Sequence, residues 1–162
     1  DYVIHLYSLL EMDGLPDAEN RNYTLCNLTR TAIKQKKKNE NGFVLMIEGS
    51  QIDWAGHDHK SKELLDEMKD FSTAICEVLN FAKADSSTLV VITSDHETGG
   101  MSIIEGSKDA KNLEIAYTTT HHTPSPVGIF AFGPGEEQFR GIMNINQIGQ
   151  KLFYLLDPTI KF

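Results

Sequence analysis

Residues 43–60, "FVLMIEGSQIDWAGHDHK", join an apolar run to a dense group of acidic and histidine side chains. The apolar run is nearly continuous, which is typical of a strand covered on both faces in a parallel sheet. It stops at Glu48, and the segment that follows contains Asp53, His57, Asp58 and His59. A routine strand-to-helix connection does not gather so many potential metal ligands. The segment therefore predicts a buried strand that ends in a functional loop.

The same plan recurs further along the chain. A long segment, "SKELLDEMKDFSTAICEVLNFAKA", repeats apolar residues at helical spacing, which predicts an amphipathic helix. It is followed by the apolar strand 88–93 and then by Asp95, His96 and a glycine turn. Strand, helix and strand form a βαβ unit. We therefore predict an α/β fold with a mostly parallel sheet sandwiched by helices.

Two more helices and a third strand complete the predicted fold. "YTLCNLTRTAIKQKKKN" predicts a helix that closes with a lysine run. "PVGIFAFGPG" predicts a strand, and "NINQIGQKLFYLL" predicts a closing helix. The inward residues of the closing helix are expected to be Ile145, Ile148, Leu152 and either Leu155 or Leu156. Residues 1–23 are expected to be loop and irregular structure.

Composition limits the classes of function. The chain has 162 residues and 40% apolar content, enough to bury the core of one globular domain. Its 15 basic and 23 acidic side chains give a formal charge of -8, which argues against a nucleic-acid surface and an anionic membrane face. The longest apolar runs have strand length, so no membrane span is predicted. Cys26 and Cys76 lie on predicted helices, and we favour buried free thiols over one disulfide.

Two groups of potential metal ligands follow predicted strands. Asp53 and His57 are four positions apart, so one helical turn would present both to one cation, although such a pair also occurs on solvated helix starts. Asp95 and His96 can share a cation only if the chain bends past the strand end, as Gly99-Gly100 would allow. The alternatives are a turn cap for Asp95 and a satisfied, partly buried side chain for His96. Because α/β sheets bind ligands at the carboxyl ends of their strands, the two groups together favour a metal site.

A third group of potential ligands lies in "YTTTHHTPSPVGIF". Here two histidines, His121 and His122, precede a predicted strand instead of following one. Their loop must therefore reach back over the sheet to join the other candidates. The residues themselves do not decide which histidine does so.

Taken together, "MIEGSQIDWAGHDHK", "TLVVITSDHETGG" and "TTTHHTPSPVGIFAFGPG" resemble the metal-binding motifs of the alkaline phosphatase family, in that order. The similarity extends over most of the chain, from about residue 24 to residue 156. Three ordered motifs are much more specific than any one of them alone. The resemblance implies an alkaline-phosphatase-like fold, and we expect residues 1–162 to be the C-terminal portion of a single such domain, with residues 24–162 as its motif-bearing part.

The resemblance also implies a role for each matching position. Glu48 resembles the magnesium ligand of the family. The implied ligands of the first zinc are Asp53, His57 and His122. The implied ligands of the second zinc are Asp95 and His96. His121 falls at a variable position and is taken as a neighbour, whereas Asp58 and His59 are expected to be a helix N-cap and a solvated side chain. Trp54 is expected to shape the site entrance.

The activity implied by the resemblance is hydrolysis of phosphate monoesters through a phosphoserine intermediate, with two zinc ions and one magnesium ion. Small phosphomonoesters and inorganic phosphate are the implied ligands. Three protein ligands complete the first zinc site, but the other two sites lack ligands in this chain. The chain also lacks the Asp-Ser-Ala nucleophile motif, since "ADSS" at residues 84–87 precedes a strand and indicates a turn. No catalytic residue is therefore assigned here, and the nucleophile is expected upstream.

Further expectations follow from the same resemblance. The chain is expected to need the missing N-terminal part of its domain, to be inactive alone, and to belong to a homodimeric parent that is periplasmic or secreted. Two alternatives stay open. One is a related two-metal phosphodiesterase or phosphoglycerate-mutase-like enzyme, distinguished by its nucleophile. The other is a non-catalytic metal-binding fragment.

Overall fold

The computed structural model describes residues 4–7, 23–107 and 112–159. The described helices are α1 (Leu25–Lys36), α2 (Gln51–His57), α3 (Ser61–Asp85) and α4 (Ile145–Leu156), with a 3-10 helix at Glu136–Phe139. The described strands are β1 (Ile4–Tyr7), β2 (Val44–Ile47), β3 (Val90–Thr93), β4 (Glu97–Thr98), β5 (Ser102–Gly106), β6 (Leu113–Ala116), β7 (His122–Thr123) and β8 (Ile129–Phe132). This alternation of helices and strands confirms the predicted α/β class.

The chain divides into two compact units. Unit 1 contains Asp1–Val78 and Thr98–Pro124, and unit 2 contains Leu79–Glu97 and Ser125–Phe162. Each unit therefore takes its residues from two separate stretches of the chain. Among the described residues, no helix is long and apolar enough to cross a membrane.

A parallel strand pair opens unit 1. Strand β1 lies beside β2 in register, with Ile4 opposite Val44 and Tyr7 opposite Ile47. The expectation of irregular structure for residues 1–23 is therefore wrong for 4–7, while residues 1–3 and 8–22 lie outside the described part. The segment "VIHLY" is rich in β-branched and aromatic residue types, which have high strand propensity. Its pairing with a strand forty residues later was not visible in the local pattern.

Helix α1 is fixed at its start by two side chains. The Thr24 hydroxyl accepts a hydrogen bond from the Asn27 N–H at 3.1 Å, which caps the helix. The Leu25 N–H donates to Asp70 of α3 at 3.0 Å. Arg30 forms an ion pair with Glu77 at 2.9 Å, again between α1 and α3. The last two contacts join α1 to α3 at two positions seven residues apart on α3, Asp70 and Glu77.

The core of unit 1 lies between α1, α3 and β2. Its buried members are Leu25, Cys26 and Ala74, and Leu28, Ile47 and Phe71 pack against them. Side chains alternate along a strand, so Ile47 faces this core while Met46 points away and is 55% exposed. The expectation that β2 is covered on both faces is therefore wrong for the described residues. Cys26 and Cys76 are free thiols, as we favoured, but Cys76 is exposed.

Unit 1 also contains a hairpin that the sequence did not predict. Strands β5 and β6 pair antiparallel, with Ser102 opposite Ala116 and Gly106 opposite Leu113. All residues of β5 are exposed, so this hairpin lacks the apolar alternation by which strands are recognised. It returns the chain to the loop 117–122, which precedes β7.

Unit 2 contains the second and third strands of the prediction. Strands β3 and β8 form an antiparallel ladder, with Val90 opposite Phe132 and Thr93 opposite Ile129. The third strand therefore runs against its neighbour, as strands of mixed α/β sheets often do. The turn predicted for residues 84–87 begins later than expected, because α3 continues to Asp85. The chain turns after it, where Asp85 accepts hydrogen bonds from Ser87 and Thr88.

Helix α4 buries a narrower edge than its periodicity predicts. Ile148 and Leu155 are half-buried, and a Cβ at Gly135 would lie 3.1 Å from Leu155. Ile145 and Leu152 are exposed, so their predicted inward positions are wrong for this structure. Of the two alternatives Leu155 and Leu156, Leu155 is the half-buried one. Periodicity identifies the apolar stripe of a helix, whereas burial also requires a neighbouring element along the whole stripe.

Candidate metal centre

Helix α2 and strand β7 bring three potential ligands together in unit 1. Asp53 and His57 lie one turn apart on α2, and the Asp53 Oδ2 atom is 3.3 Å from His57 Nε2. His122 begins β7, and its Nε2 atom lies 3.1 Å from His57 Nε2 and 3.6 Å from Asp53 Oδ1. Each of the three residues offers one ligand atom, and these three atoms lie within 4.8 Å of one another in the described part of the chain. These residues are therefore placed to share one cation.

The separations fit a zinc ion. Tetrahedral zinc with bonds of about 2.0–2.1 Å places neighbouring ligand atoms about 3.3 Å apart. Two observed separations lie close to that value, 3.1 Å between the Nε2 atoms of the two histidines and 3.3 Å between His57 Nε2 and Asp53 Oδ2. The third separation, 3.6 Å, joins His122 Nε2 to the other carboxylate oxygen of Asp53, Oδ1. The side chains are 36% exposed for Asp53, 29% for His57 and 48% for His122, so solvent reaches the centre. Three protein ligands with an accessible fourth position are typical of a catalytic zinc site.

Polar contacts orient the ligands of α2. The carbonyl oxygen of Thr120 lies 2.6 Å from His57 Nδ1, and a carbonyl only accepts hydrogen bonds. His57 therefore carries its proton on Nδ1, which leaves the Nε2 lone pair directed at the other two ligands. The Thr98 hydroxyl donates a hydrogen bond to Asp53 Oδ1. The contact with Thr120 therefore orients His57 through Nδ1, the nitrogen that faces away from the cation position. The contact with Thr98 orients Asp53 through a carboxylate oxygen that could also bind the cation.

The turn at Gly99-Gly100 holds the loop 117–122. The Gly99 N–H donates to the His121 carbonyl at 3.0 Å, and the Gly99 carbonyl accepts from the N–H groups of Thr118 and Thr119. Gly99 and Gly100 have φ of +90° and +56°, which favours glycine. These bonds position the loop so that His122 lies near α2. The glycine turn therefore supports the group of Asp53, His57 and His122 and not the pair of Asp95 and His96.

At Asp95 and His96, the second group of potential ligands, the chain bends before it reaches Gly99-Gly100, where the sequence predicted the bend. Strand β3 ends at Thr93, and Asp95 and His96 follow it at a bend stabilised by a hydrogen bond from the Ser94 hydroxyl to the His96 carbonyl. His96 Nε2 lies 3.3 Å from Asp95 Oδ2, so the two side chains converge although they are adjacent. Asp95 is 72% exposed and His96 is 28% exposed. The pair belongs to unit 2.

The remaining candidates lie outside the triad of Asp53, His57 and His122. Glu48 directly follows β2 and is half-buried, but its carboxylate does not join the three grouped ligand atoms. His121 is exposed, and its backbone bonds to Gly99 and Thr119 while its side chain stays outside the group.

Two neighbours of His57 differ from expectation. Asp58 is the C-cap of α2 and not a helix N-cap, because its own N–H bonds back to Trp54 while its carboxylate pairs with Lys60 at 2.8 Å. The hydrogen bond from Lys60 lowers the pKa of the Asp58 carboxyl. His59 is exposed but not merely solvated, since its ring stacks on Tyr117 at 4.5 Å. Trp54 is 54% exposed, with its ring 6.4 Å from that of His57, so it borders the centre.

Sequence reasoning missed the residues that support the ligands. Thr98, Thr120 and Tyr117 are polar or aromatic residues with no periodic pattern around them. Thr98 lies in the motif "DHETGG". Nothing in that motif predicts that Thr98 contacts Asp53, which lies 45 residues earlier in the sequence. Only the folded loop shows these partners.

Comparison with known families identifies the chain. The alkaline phosphatase family model matches residues 2–113. The chain belongs to the alkaline phosphatase family. Alkaline phosphatase 4 of Bacillus subtilis is 30% identical, over 86% of this chain and 45% of that protein. Alkaline phosphatase 3 of the same organism is 31% identical, over 91% of this chain and 48% of that protein. The chain spans about half the length of the curated relatives it matches.

Solved alkaline phosphatases have the same fold. Alkaline phosphatase from the Antarctic bacterium TAB5 is 31% identical, has a TM-score of 0.78, and aligns over 98% of this chain and 53% of that chain. A mutant of TAB5 alkaline phosphatase with Mg bound in the M3 site is 36% identical, with a TM-score of 0.78 over 88% of this chain and 43% of that one. The alkaline-phosphatase-like fold predicted from the three motifs is confirmed.

Proposed function

We propose that this chain supplies metal ligands to a metal-dependent phosphomonoesterase. The observation that carries the proposal is the convergence of Asp53, His57 and His122 on one point at separations that fit zinc. Membership of the alkaline phosphatase family supports the same reaction. The relatives named above are alkaline phosphatases, which favours this function over a phosphodiesterase, a phosphoglycerate-mutase-like enzyme or a non-catalytic metal-binding module.

The proposed cofactors are two zinc ions and one magnesium ion. Asp53, His57 and His122 hold the first zinc, Asp95 and His96 contribute to the second, and Glu48 contributes to the magnesium. Such ions, when bound, would supply Lewis-acid chemistry that increases the acidity of a hydroxyl nucleophile and of water. The TAB5 mutant enzyme binds Mg in its M3 site, which supports a magnesium site in this family.

In the proposed reaction, the residues of this chain bind the cation and orient its ligands. Asp53, His57 and His122 would hold a cation through one ligand atom each. The Thr120 carbonyl keeps the His57 proton on Nδ1, away from the ligand atom. Trp54, exposed beside His57, limits the directions from which a substrate reaches the centre. The serine that forms the phosphoserine intermediate comes from the part of the domain that precedes this chain.

The proposal extends to the whole protein. We propose that the parent is a homodimer, acts on small phosphomonoesters, releases inorganic phosphate, and works in the periplasm or outside the cell. An excess of acidic side chains, with a formal charge of -8, repels anionic substrates elsewhere on the surface. The cations therefore supply the attraction for phosphate at the centre.

Zinc titration combined with a p-nitrophenyl phosphate assay tests the proposal. The chain is expected to bind about one zinc ion tightly, because three ligands complete one site. It is expected not to hydrolyse the ester, because it has no Asp-Ser-Ala motif. Asp53→Ala is the matched variant and should remove the tight site. Metal-dependent turnover by the pure chain, or tight zinc binding unchanged in Asp53→Ala, would contradict the proposal.

A further inference from the structure

His59 has an unusual backbone conformation for an exposed residue. It lies between α2 and α3 with φ of +55°, in the left-handed region that favours glycine. Its side chain nevertheless makes two contacts with residues that are far away in the sequence. The Nε2 atom lies 2.8 Å from the Thr119 carbonyl oxygen, and the ring stacks on Tyr117 at 4.5 Å with an interplanar angle of 10°.

The contacts of His59 belong to an ordered row. His57 meets Thr120, His59 meets Thr119 and Tyr117, and Ser61 meets the Tyr117 hydroxyl at 3.1 Å. As the sequence advances from α2 into α3, the partners move back along the loop 117–122. The row therefore joins the helix that carries Asp53 and His57 to the loop that ends at His122.

We propose that His59 and Tyr117 form a positioning pair for the zinc site. They hold the loop so that the Thr120 carbonyl reaches His57 and the His122 ring reaches the two ligands of α2. This inference rests on the metal centre proposed above. His59 is not among the three residues whose ligand atoms group together, and its Nε2–H is donated to the Thr119 carbonyl.

The physical reason is preorganisation. A metal ion that must also order a loop binds more weakly than one that enters a formed site, because ordering the loop costs conformational entropy. The bonds to Gly99 fix the loop to the turn after β4. The contacts of His59 add a link from the loop to the segment that directly follows α2, the helix that carries the other two ligands. The separation between His122 and the ligands of α2 is thus set before the cation arrives.

The conformation of His59 allows a clean deletion. Glycine tolerates φ of +55° better than histidine does, so His59→Gly removes the side chain without straining the turn. Ser86 has φ of +58°, and Ser86→Gly is the matched control for the change in backbone freedom. Tyr117→Leu removes the stacked ring, whereas Tyr117→Phe keeps the ring and loses only the contact with Ser61.

The first measurement needs no metal. Hydrogen exchange of the Thr118 and Thr119 amides reports whether the loop stays bonded to Gly99 in the metal-free chain. His59→Gly and Tyr117→Leu are expected to accelerate this exchange about tenfold by increasing local opening. Ser86→Gly and Tyr117→Phe should change it by less than about twofold. Exchange in His59→Gly that matches Ser86→Gly would overturn the inference.

The second measurement is zinc affinity by competition with a chromophoric chelator, together with the visible spectrum of the cobalt-loaded chain. His59→Gly and Tyr117→Leu are expected to weaken zinc binding about tenfold, as loss of support around a metal ligand does. The cobalt spectrum should change, because His122 no longer reaches its position. The double variant His59→Gly/Tyr117→Leu should lose little more than either single variant, since both remove the same stack.

Different variants test the metal centre and the positioning pair, so a failure of one proposal can be distinguished from a failure of the other. A loosened loop with unchanged zinc affinity and cobalt spectrum would make the pair merely structural and overturn the positioning role. Zinc binding that survives Asp53→Ala would instead contradict the metal centre, and the positioning role with it. If Asp53→Ala loses zinc binding while His59→Gly keeps the wild-type zinc affinity, the proposed metal centre stands and only the positioning pair is rejected.

Discussion

The Nδ1 atom of His57 lies 2.6 Å from the carbonyl oxygen of Thr120. Since the carbonyl can only accept, this contact fixes the tautomer of His57 and frees Nε2 for a cation. Thr120 lies two residues before His122, so the loop that delivers one ligand also orients another. Two of the three proposed ligands, His57 and His122, are therefore coupled through a single stretch of backbone.

The tautomer of His57 is directly testable. In the zinc-loaded chain, long-range proton–nitrogen correlation spectra are expected to show the His57 proton on Nδ1. Its Nε2 atom should shift on zinc binding, while the ring nitrogens of His121 should not. A His57 proton found on Nε2 would contradict both the hydrogen bond to Thr120 and the assignment of the ligand atom.

The choice of His122 over His121 gives a second prediction. His122→Ala is expected to lower zinc affinity by more than about 100-fold, because it removes a direct ligand and not only its support. His121→Ala is the matched control, since His121 bonds to Gly99 and Thr119 through its backbone. Chelator competition measures both variants. In the complete protein, His122→Ala should also cost most of kcat, and equal effects of the two variants would refute the assignment.

Gly99 provides a third prediction, because a side chain there would meet two parts of the site. A Cβ at Gly99 would lie 2.8 Å from the Tyr117 ring and 3.0 Å from the Gly56 carbonyl oxygen. Gly99→Ala is expected to lower stability by more than the roughly 1 kcal/mol that positive φ alone costs, and to weaken zinc binding. Gly42 also has positive φ, but a Cβ there meets nothing within 4 Å. Gly42→Ala should therefore lower stability only, as urea unfolding and zinc titration will show.

The cap of α1 gives a prediction that is independent of metal. Thr24→Ala is expected to lower the free energy of unfolding by about 1 kcal/mol, because it removes the hydrogen bond that caps the Asn27 N–H. Thr24→Ser should restore most of the loss. Thr31→Ala is the comparison inside the same helix, where the hydroxyl bonds only to the Asn27 carbonyl. Urea unfolding measures all three, and a Thr24→Ala midpoint equal to that of Thr31→Ala would argue against the cap.

Asp66 gives a pH-dependent prediction. Hydrogen bonds from Lys62 at 2.7 Å and Lys69 at 3.0 Å lower the pKa of the Asp66 carboxyl below its ordinary value of 3.8. A carboxyl whose pKa is lower in the folded chain stabilises it above the ordinary value, and this contribution is lost as pH falls through the lowered pKa. The destabilisation caused by Asp66→Asn should therefore be largest near neutral pH and shrink below pH 3.8.

Urea unfolding of the wild type and Asp66→Asn at a series of pH values measures this difference. Glu40→Gln removes an exposed carboxyl and is the control for a change in net charge. A difference between wild type and Asp66→Asn that stays constant from neutral to acidic pH would show that the two lysines do not stabilise the ionised carboxylate.

Much of the fold follows from local patterns. The helical spacing of apolar residues predicted α1, α3 and α4, and the apolar runs predicted β2, β3 and β8. The patterns failed where burial depends on neighbours, as for Met46 and Leu152. They also failed for β1, which pairs with a strand forty residues later. They failed for the hairpin of β5 and β6 because every residue of β5 is exposed.

The sequence by itself determined that Asp53 and His57 share one helical face, because a spacing of four residues is one turn of α2. It also carried the motifs by which the family is recognised. Tertiary structure decided that His122 and not His121 completes the group, that Thr120 orients His57, and that His59 turns toward Tyr117. These contacts join residues about sixty positions apart, and their geometry depends on the path of a loop. A loop has no periodicity that could announce its partners, so only the folded chain reveals them.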